Sequence, residues 1–403
     1  MEESFKNRQF QLFFSLIVIS FLGDILRRIS FFVNADFTRY TTLSKVVFII
    51  ISIPFMIYYK RKIATNFLKK KVLLVMFILF LFFLIGHISI SKDVSFSSVY
   101  NNFEYFAKYL FFPFLLFLFL NIREDEKVIN ELLKIFEFFF FVNLLAIIVG
   151  FYFEIRVFQT YYFGTRFGYK GIYSNSGQTS IFFILMIFYY IHKLLFQNFN
   201  KWTLAKLLLI ISVSFLIGTK RIYLFIPILT LYYLFFLKGI RKLITLKIFA
   251  VYLVISFVFF DKIKLIAGKT YSLFYEIYEQ NGFFSSFTSY RSNLIQEIVS
   301  ERVVEKWGFL NYFFGGLDFS KGRSEMGFID LFLFFGVIGL ISYLFFYKII
   351  LEFKFSHHFY WFFVLSLILI VFIADAFILD TNAPMLLFLI SSYFYSFEKQ
   401  KYV

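Results

Sequence analysis

The charged and hydroxyl-bearing residues of this chain cluster in a few short stretches set between long apolar runs. In "SFLIGTKRIYLFIP", 214–227, Lys220 and Arg221 stand side by side between two hydrophobic segments. A cation held at the centre of a membrane helix costs roughly 2.5–3.5 kcal/mol on insertion scales. A pair of them at the edge of two apolar runs therefore asks for a partner. "YYFGTRFGYKGIYSNSGQTS", 161–180, carries Arg166, Tyr169, Lys170, Asn175 and Gln178. "TSYRSNLIQEIVSERVVEKW", 288–307, places Arg291 ahead of Leu294, Ile295, Ile298, Val299 and Val303. That spacing predicts an amphipathic helix with Ser289 as its N-cap. "SKGRSEMGFID", 320–330, brings Arg323, Glu325 and Asp330 close in sequence, within about two helical turns.

Arginine suits phosphate because its planar fork makes bidentate, charge-assisted bonds and stays ionised. Several arginines converging at a lipid boundary could grip a diphosphate whose tail lies in the bilayer. A polyprenyl-diphosphate sugar fits that geometry, with the lipid diphosphate as leaving group. Its transfer needs cations for the departing charge and a base for the attacking hydroxyl. Arg221, Arg291 and Glu325 are the expected catalytic set, with Asp330 the reserve base. Arg166, Lys170, Asn175, Lys220, Arg323 and Tyr169 are expected to bind substrate, the outer tyrosines, Tyr161 and Tyr162 among them, by stacking on sugars. Plainer roles compete. Lys220 and Arg221 would also be retained by snorkelling to headgroup phosphates. Glu325 would also cap the helix that follows, Arg291 would pair with an acid of its own loop such as Glu297, and Arg166 and Lys170 would be ordinary loop charges. Asp375 and Asp380 read as solvated or as backing the site residues from outside.

The elements that must position these residues are membrane spans. Of 403 residues 60% are hydrophobic, 70 are Phe, and mean hydropathy is +0.78, far outside the soluble range. The fold class is an all-α polytopic membrane protein. About twelve transmembrane helices are expected, near 10–25, 43–59, 72–90, 106–122, 132–153, 178–196, 203–218, 222–238, 245–260, 327–347, 359–376 and 383–397. They form a single integral membrane domain, 1–403, with one long extracytoplasmic loop, 261–326, between spans nine and ten. The first apolar run reads as a retained helix and not a removable leader. With no cysteine, disulfides and thiol chemistry are excluded. The four scattered histidines and the absence of a nucleotide-binding loop point to no metal, no cofactor and no nucleic-acid partner.

Orientation follows from lysine and arginine. With both termini cytoplasmic, the inner segments collect roughly twice the Lys and Arg of the short outer loops. The stretches 161–180, 219–221 and 261–326 then share the outer face.

A segment of G-x-x-N type before a span, an Arg in a tight outer turn, an Arg-led helix in a long outer loop and "SEMGFIDLFLFFGVIGL" after it together resemble the O-antigen polymerase and ligase superfamily, over about 160–345. The resemblance implies metal-independent, inverting glycosyl transfer from undecaprenyl-diphosphate-linked oligosaccharide at the outer face of the bacterial cytoplasmic (inner) membrane. The product would be a surface polysaccharide, O-antigen of lipopolysaccharide or capsule, and the partners the bilayer and a chain-length regulator. The family's outer-turn Arg maps to Arg221 and its loop-helix Arg to Arg291. The ligase branch places a His just before the tenth span, where this chain has Ser324-Glu325, and its long loop has no His. That departure favours a repeat-unit polymerase over a ligase. A lipid-linked glycan flippase or secondary transporter would show internal repeats and midplane charges, and a scaffold would need no converging arginines. Neither matches this pattern as well.

Overall fold

Within hydrocarbon every backbone N–H and C=O must be satisfied inside the protein, so apolar runs of this length fold as helices. The computed structural model describes residues 2–33, 40–59, 67–161, 167–197, 200–236, 268, 275–283, 285–286, 288, 290–353, 357–373, 378–380 and 382–401. The helices are α1 (Glu2–Phe32), α2 (Tyr40–Tyr58), α3 (Phe67–Phe83, running on as a π-helix to Ile90), α4 (Val99–Phe119), α5 (Glu126–Tyr152), α6 (Ser176–Phe196), α7 (Lys201–Ser214), α8 (Lys220–Phe236), α9 (Arg291–Ile298), α10 (Asn311–Phe314), α11 (Gly327–Ile350), α12 (His358–Ile373) and α13 (Ala383–Lys401). Among the described residues the only β pairing is one isolated bridge, Gln159 with Tyr169.

Seven of these helices are long and apolar enough to cross a membrane: Phe5–Phe32, Tyr40–Tyr58, Phe67–Ile90, Val99–Ile122, Glu126–Tyr152, Ser176–Phe196 and Gly327–Ile350. The protein thus has the helix set of a multi-pass membrane protein. Four further expected spans fall on α7, α8, α12 and α13, which are shorter or more polar than the seven. The expected span at 245–260 lies outside the described residues.

The bundle has two chemically distinct ends. At one, Lys6 Nζ lies 3.4 Å from Asp125 Oδ2, and Lys399 Nζ 2.6 Å from Glu124 Oε2. Beside them Arg123 donates from Nη1 to Ile349 O at 2.7 Å, closing the last turn of α11. The start of α1 and the end of α13 therefore meet the same α4–α5 connection. At the other end Arg28, near the close of α1, donates from Nε to Ile172 O at 3.0 Å and from Nη2 to Ser174 O at 2.9 Å, holding the chain that leads into α6. Between the ends α6 is the most enclosed of the seven long helices.

Helix α11 is bent where it passes deepest. Gly336 has φ 72°, and a Cβ there would collide with the backbone of Phe313. The bend frees carbonyls that the preceding loop takes up. Gly316 N donates to Phe334 O at 3.3 Å and Leu317 N to Leu333 O at 3.2 Å, while Nε2 of buried His87 lies 3.1 Å from Phe334 O. At 1.5 Å per residue, the bend is roughly 13 Å along α11 from its start. Non-helical backbone is tolerated at that depth only when protein encloses it, and here it is enclosed. The buried stretch 315–317 thus packs against the bend, while Phe309, Leu310 and Tyr312 ahead of it are exposed.

The expected amphipathic helix after Arg291 is present, but its register shifts. A π-turn, Val299–Val303, follows α9, so the buried side chains are Ile298 and Val303 while Val299 is 42% exposed. A π-turn spaces like positions five residues apart, and 298 to 303 is that step.

A candidate site at the Arg221 end

The turn that carries Arg221 is built by glycine and by the neighbouring loop. Gly218 closes the 3-10 turn Phe215–Ile217 in the left-handed region, φ 71°. A side chain there would strike Phe167 O. Tyr169 N donates to Leu216 O at 2.7 Å, Thr160 Oγ1 to Ile217 O at 2.9 Å, and Thr219 Oγ1 lies 2.8 Å from Ser180 Oγ. The described part of one polar stretch, 167–180, and the turn 219–221 are therefore one piece of structure. Arg221 leaves it in the first turn of α8.

Arg221 is half-buried. Among the described residues its Nη1, fully out of solvent, has no hydrogen-bond partner. The titratable groups whose fields reach it are Arg291, Tyr161, Asp380 and Glu325. Arg291 Nη2 stands 3.4 Å from Glu325 Oε2, and the Glu325 side chain is half exposed. Glu325 sits at φ 56°, an unusual conformation for a residue with a side chain. Its neighbours hold it there. Ser324 donates to Asp330 Oδ1 from N at 2.9 Å and from Oγ at 2.7 Å, and Arg323 Nη1 lies 3.5 Å from Asp330 Oδ2. The three expected catalytic residues thus converge. Below Arg221 a groove runs between α8 and α12, lined by Leu224, Phe225, Ile228, Ser366, Leu369 and Ile370.

The other expected residues part company. Lys220 joins the site indirectly, donating from Nζ to Ser286 O. Asp330, the reserve base, is fully buried and accepts from Ser324. Asn175 is the N-cap of α6, accepting from Gln178 N at 2.6 Å. Tyr169 does not present a stacking face. It is buried, with Phe151 and Phe167 edge-on at ring centroid distances of 5.9 and 5.8 Å. Asp380 is not freely solvated, since it caps α13 through Asn382 N at 2.8 Å. Arg166, Tyr162, Ser289 and Asp375 lie outside the described residues.

Lys170 sits by the two arginines at the close of α1. Burial, and then the charges of Arg28 and Arg27, lower it from 10.5 to about 7. Between those values the unfolded chain binds the proton and the folded protein does not, so stability rises with pH across that window. Thermal midpoints in detergent should climb from pH 7 toward pH 10, and Lys170→Met should flatten that part of the curve. An unchanged slope in the variant would remove Lys170 from this account.

Sequence reading missed the strongest ionic cluster. Arg302, in the π-turn, reaches Asp93 Oδ2 from Nη2 at 2.6 Å and from Nε at 3.1 Å. Lys306 Nζ lies 3.1 Å from Asp93 Oδ1, and Asp318 N donates to Asp93 Oδ2 at 2.9 Å. Burial would raise Asp93, but the Arg302 bonds, the Asp318 N–H and Lys306 together hold it down at about 2. Asn102 Nδ2 donates to Asp318 Oδ1 at 2.8 Å. The cluster pins the segment 302–321 to the α3–α4 connection and so fixes the ground on which Arg291 and Glu325 stand. A lone acid just past an apolar run, as at "SKDVS", was its only sign. Compared with protein-family models, with curated proteins and with solved structures, the chain matches none.

Proposed function

We propose that the protein polymerises surface polysaccharide repeat units by glycosyl transfer from a polyprenyl-diphosphate-linked glycan. The observation that carries this reading is Arg221: a guanidinium with a buried nitrogen that has no partner among the described residues, under the charges of Arg291 and Glu325 and beside apolar side chains of α8 and α12. Two guanidinium groups near one another repel, and an anion between them relieves that repulsion. A lipid diphosphate supplies such an anion, with its apolar tail left in the bilayer beside α8 and α12.

In the transfer, Glu325 moves off Arg291 and takes the proton from the acceptor hydroxyl. The hydroxyl oxygen forms the new bond at the donor's anomeric carbon from the face opposite the diphosphate. The carbon–oxygen bond to the diphosphate breaks, and its electron pair leaves on the oxygen that Arg221 and Arg291 neutralise. The stereochemistry inverts. Cations and a base are what the step requires, and these residues supply both.

On this reading the helices make about twelve spans with both termini cytoplasmic, and the Arg221 end faces outward. Donor and acceptor both come from the membrane, and a chain-length regulator is the expected protein partner. The chain lacks the His that the resembling ligases place before the tenth span, so polymerase is preferred. Cells without the protein should still attach single repeat units to the final acceptor and should lose long chains, read by polysaccharide electrophoresis. Accumulation of long lipid-linked polymer would mean a ligase instead. Reporter fusions at Gly282 and after Lys401 should give opposite signals, and two cytoplasmic signals would end the outward-facing site.

A further inference from the structure

A second polar file runs into the bundle beside Arg221. It begins at exposed Asn175, whose Nδ2 donates to Asp380 Oδ2 at 3.4 Å. It ends at Asp24 on α1, which is 1% exposed. Gln178 Nε2 donates to Asp24 Oδ2 at 3.3 Å. Oδ1 of Asp24 is out of solvent and, among the described residues, has no partner. The charged groups acting on Asp24 are Asp380, Lys45 and Arg28. Gly23 packs against Ser44, which sets Lys45 of α2 alongside Asp24.

A buried carboxylate oxygen without a bond is costly, and native proteins seldom leave one idle. The groups around it limit what can fill the place. Two carboxylates repel an anion, while Lys45 and Arg28 cancel their charge and repel a cation. The remaining pattern sets acceptors, Asp24 and Asp380, among donors, Asn175, Gln178 and Lys45. A hydroxyl both donates and accepts, so a neutral ligand carrying several hydroxyls satisfies such a pattern.

We propose that Asp24, Lys45, Asn175, Gln178 and Asp380 form a subsite for a neutral sugar. Where the transferase reading holds, on which this last assignment rests, the sugar is the acceptor. Asp380 carries the link, because its carboxylate acts both on Asp24 and on Arg221.

The test uses the full chain in nanodiscs and a panel of methyl glycosides of neutral hexoses, 6-deoxyhexoses and N-acetylhexosamines, read by saturation-transfer NMR. At least one glycoside should bind the wild-type protein, and Asp24→Asn should weaken it at least tenfold. Thermal midpoints report folding. Asn175→Ser retains a capping oxygen for α6 but loses the Nδ2 donor, so it stays informative if Asp24→Asn fails to fold, and it should weaken binding several-fold. The proposal is overturned if no glycoside binds the wild type, or if the folded variants bind as it does. The polar file would then only staple α1, α2 and α6 together. Photolabelling with a polyprenyl diphosphate on the same preparation separates the two readings. Sugar binding without that labelling would end the transferase reading and leave the sugar site standing.

Discussion

Arg221→Lys should leave the protein in the membrane at normal level while polymer synthesis falls by roughly tenfold to ten-thousandfold. Lysine keeps the charge but presents one compact ammonium in place of the two-pronged fork. A charge-assisted hydrogen bond contributes about 1.5–3 kcal/mol, and one or two lost in the transition state give that span of rates. The surroundings sharpen the expectation. Nη1 is buried and has no partner among the described residues, so an anion is available to it as a partner. Arg221→Ala should be at least as inactive. Lys220→Ala should be milder, because Lys220 reaches a loop carbonyl and not the groove. Polysaccharide chain length and membrane abundance, measured together, decide it. Normal chains at normal abundance in both Arg221 variants would reduce Arg221 to an anchor.

Removing one partner of the Asp93–Arg302 pair should be the most destabilising single change outside the apolar core. Asp93 has no exposed side-chain surface, and Arg302 has 10%. Breaking a buried pair from one side costs about 3–5 kcal/mol when the other charge is left alone. Lys306 and Lys321, 3.1 and 3.5 Å from Asp93 Oδ1, bring the cost of losing Arg302 to the lower end of that range. Total stabilities of about 5–15 kcal/mol make that a large fraction. Arg302→Met should therefore cut abundance and lower the thermal midpoint sharply, and Asp93→Asn should recover part of the loss in the Arg302→Met background. The same pair sets an acid limit. Asp93 is held at about 2 in the folded protein against 3.8 as the ordinary value. Its stabilisation is complete above 3.8 and fades as pH falls towards 2. A double variant no more stable than Arg302→Met alone would show that the charge at 93 does not govern the site.

The helices were legible in the sequence because hydropathy depends on composition over about twenty residues. So was the convergence of Arg221, Arg291 and Glu325, since polar residues stranded between apolar runs have few places to go. What remained hidden depends on depth and pairing. The bend at Gly336 is one glycine in "FFGVIG", and only the preceding loop, through Gly316 and Leu317, shows why it bends. Tyr169 reads as an outer tyrosine because its neighbours are polar, but the bridge to Gln159 turns its ring inward. Asp380 reads as solvated because it lies in a turn, and burial is not a property of the turn. The register of α9 departs from its sequence pattern for a local reason: the π-turn, Val299–Val303, inserts a residue that no period of 3.6 anticipates.

Asp93 and Arg302 are separated by 209 residues, which sets an order for biogenesis. During synthesis from the N-terminus, the carboxylate is made and α3 and α4 are inserted long before their counter-charge exists. Through that interval Asp93 must stay hydrated, so the crevice that later holds Arg302 and Lys306 begins as a water-filled one. Synthesis of Arg302 then exchanges that water for a guanidinium, with α11, α12 and α13 still to follow. A nascent chain halted before Arg302 would carry an open crevice, a feature by which a quality-control protease could tell an unfinished molecule from a finished one.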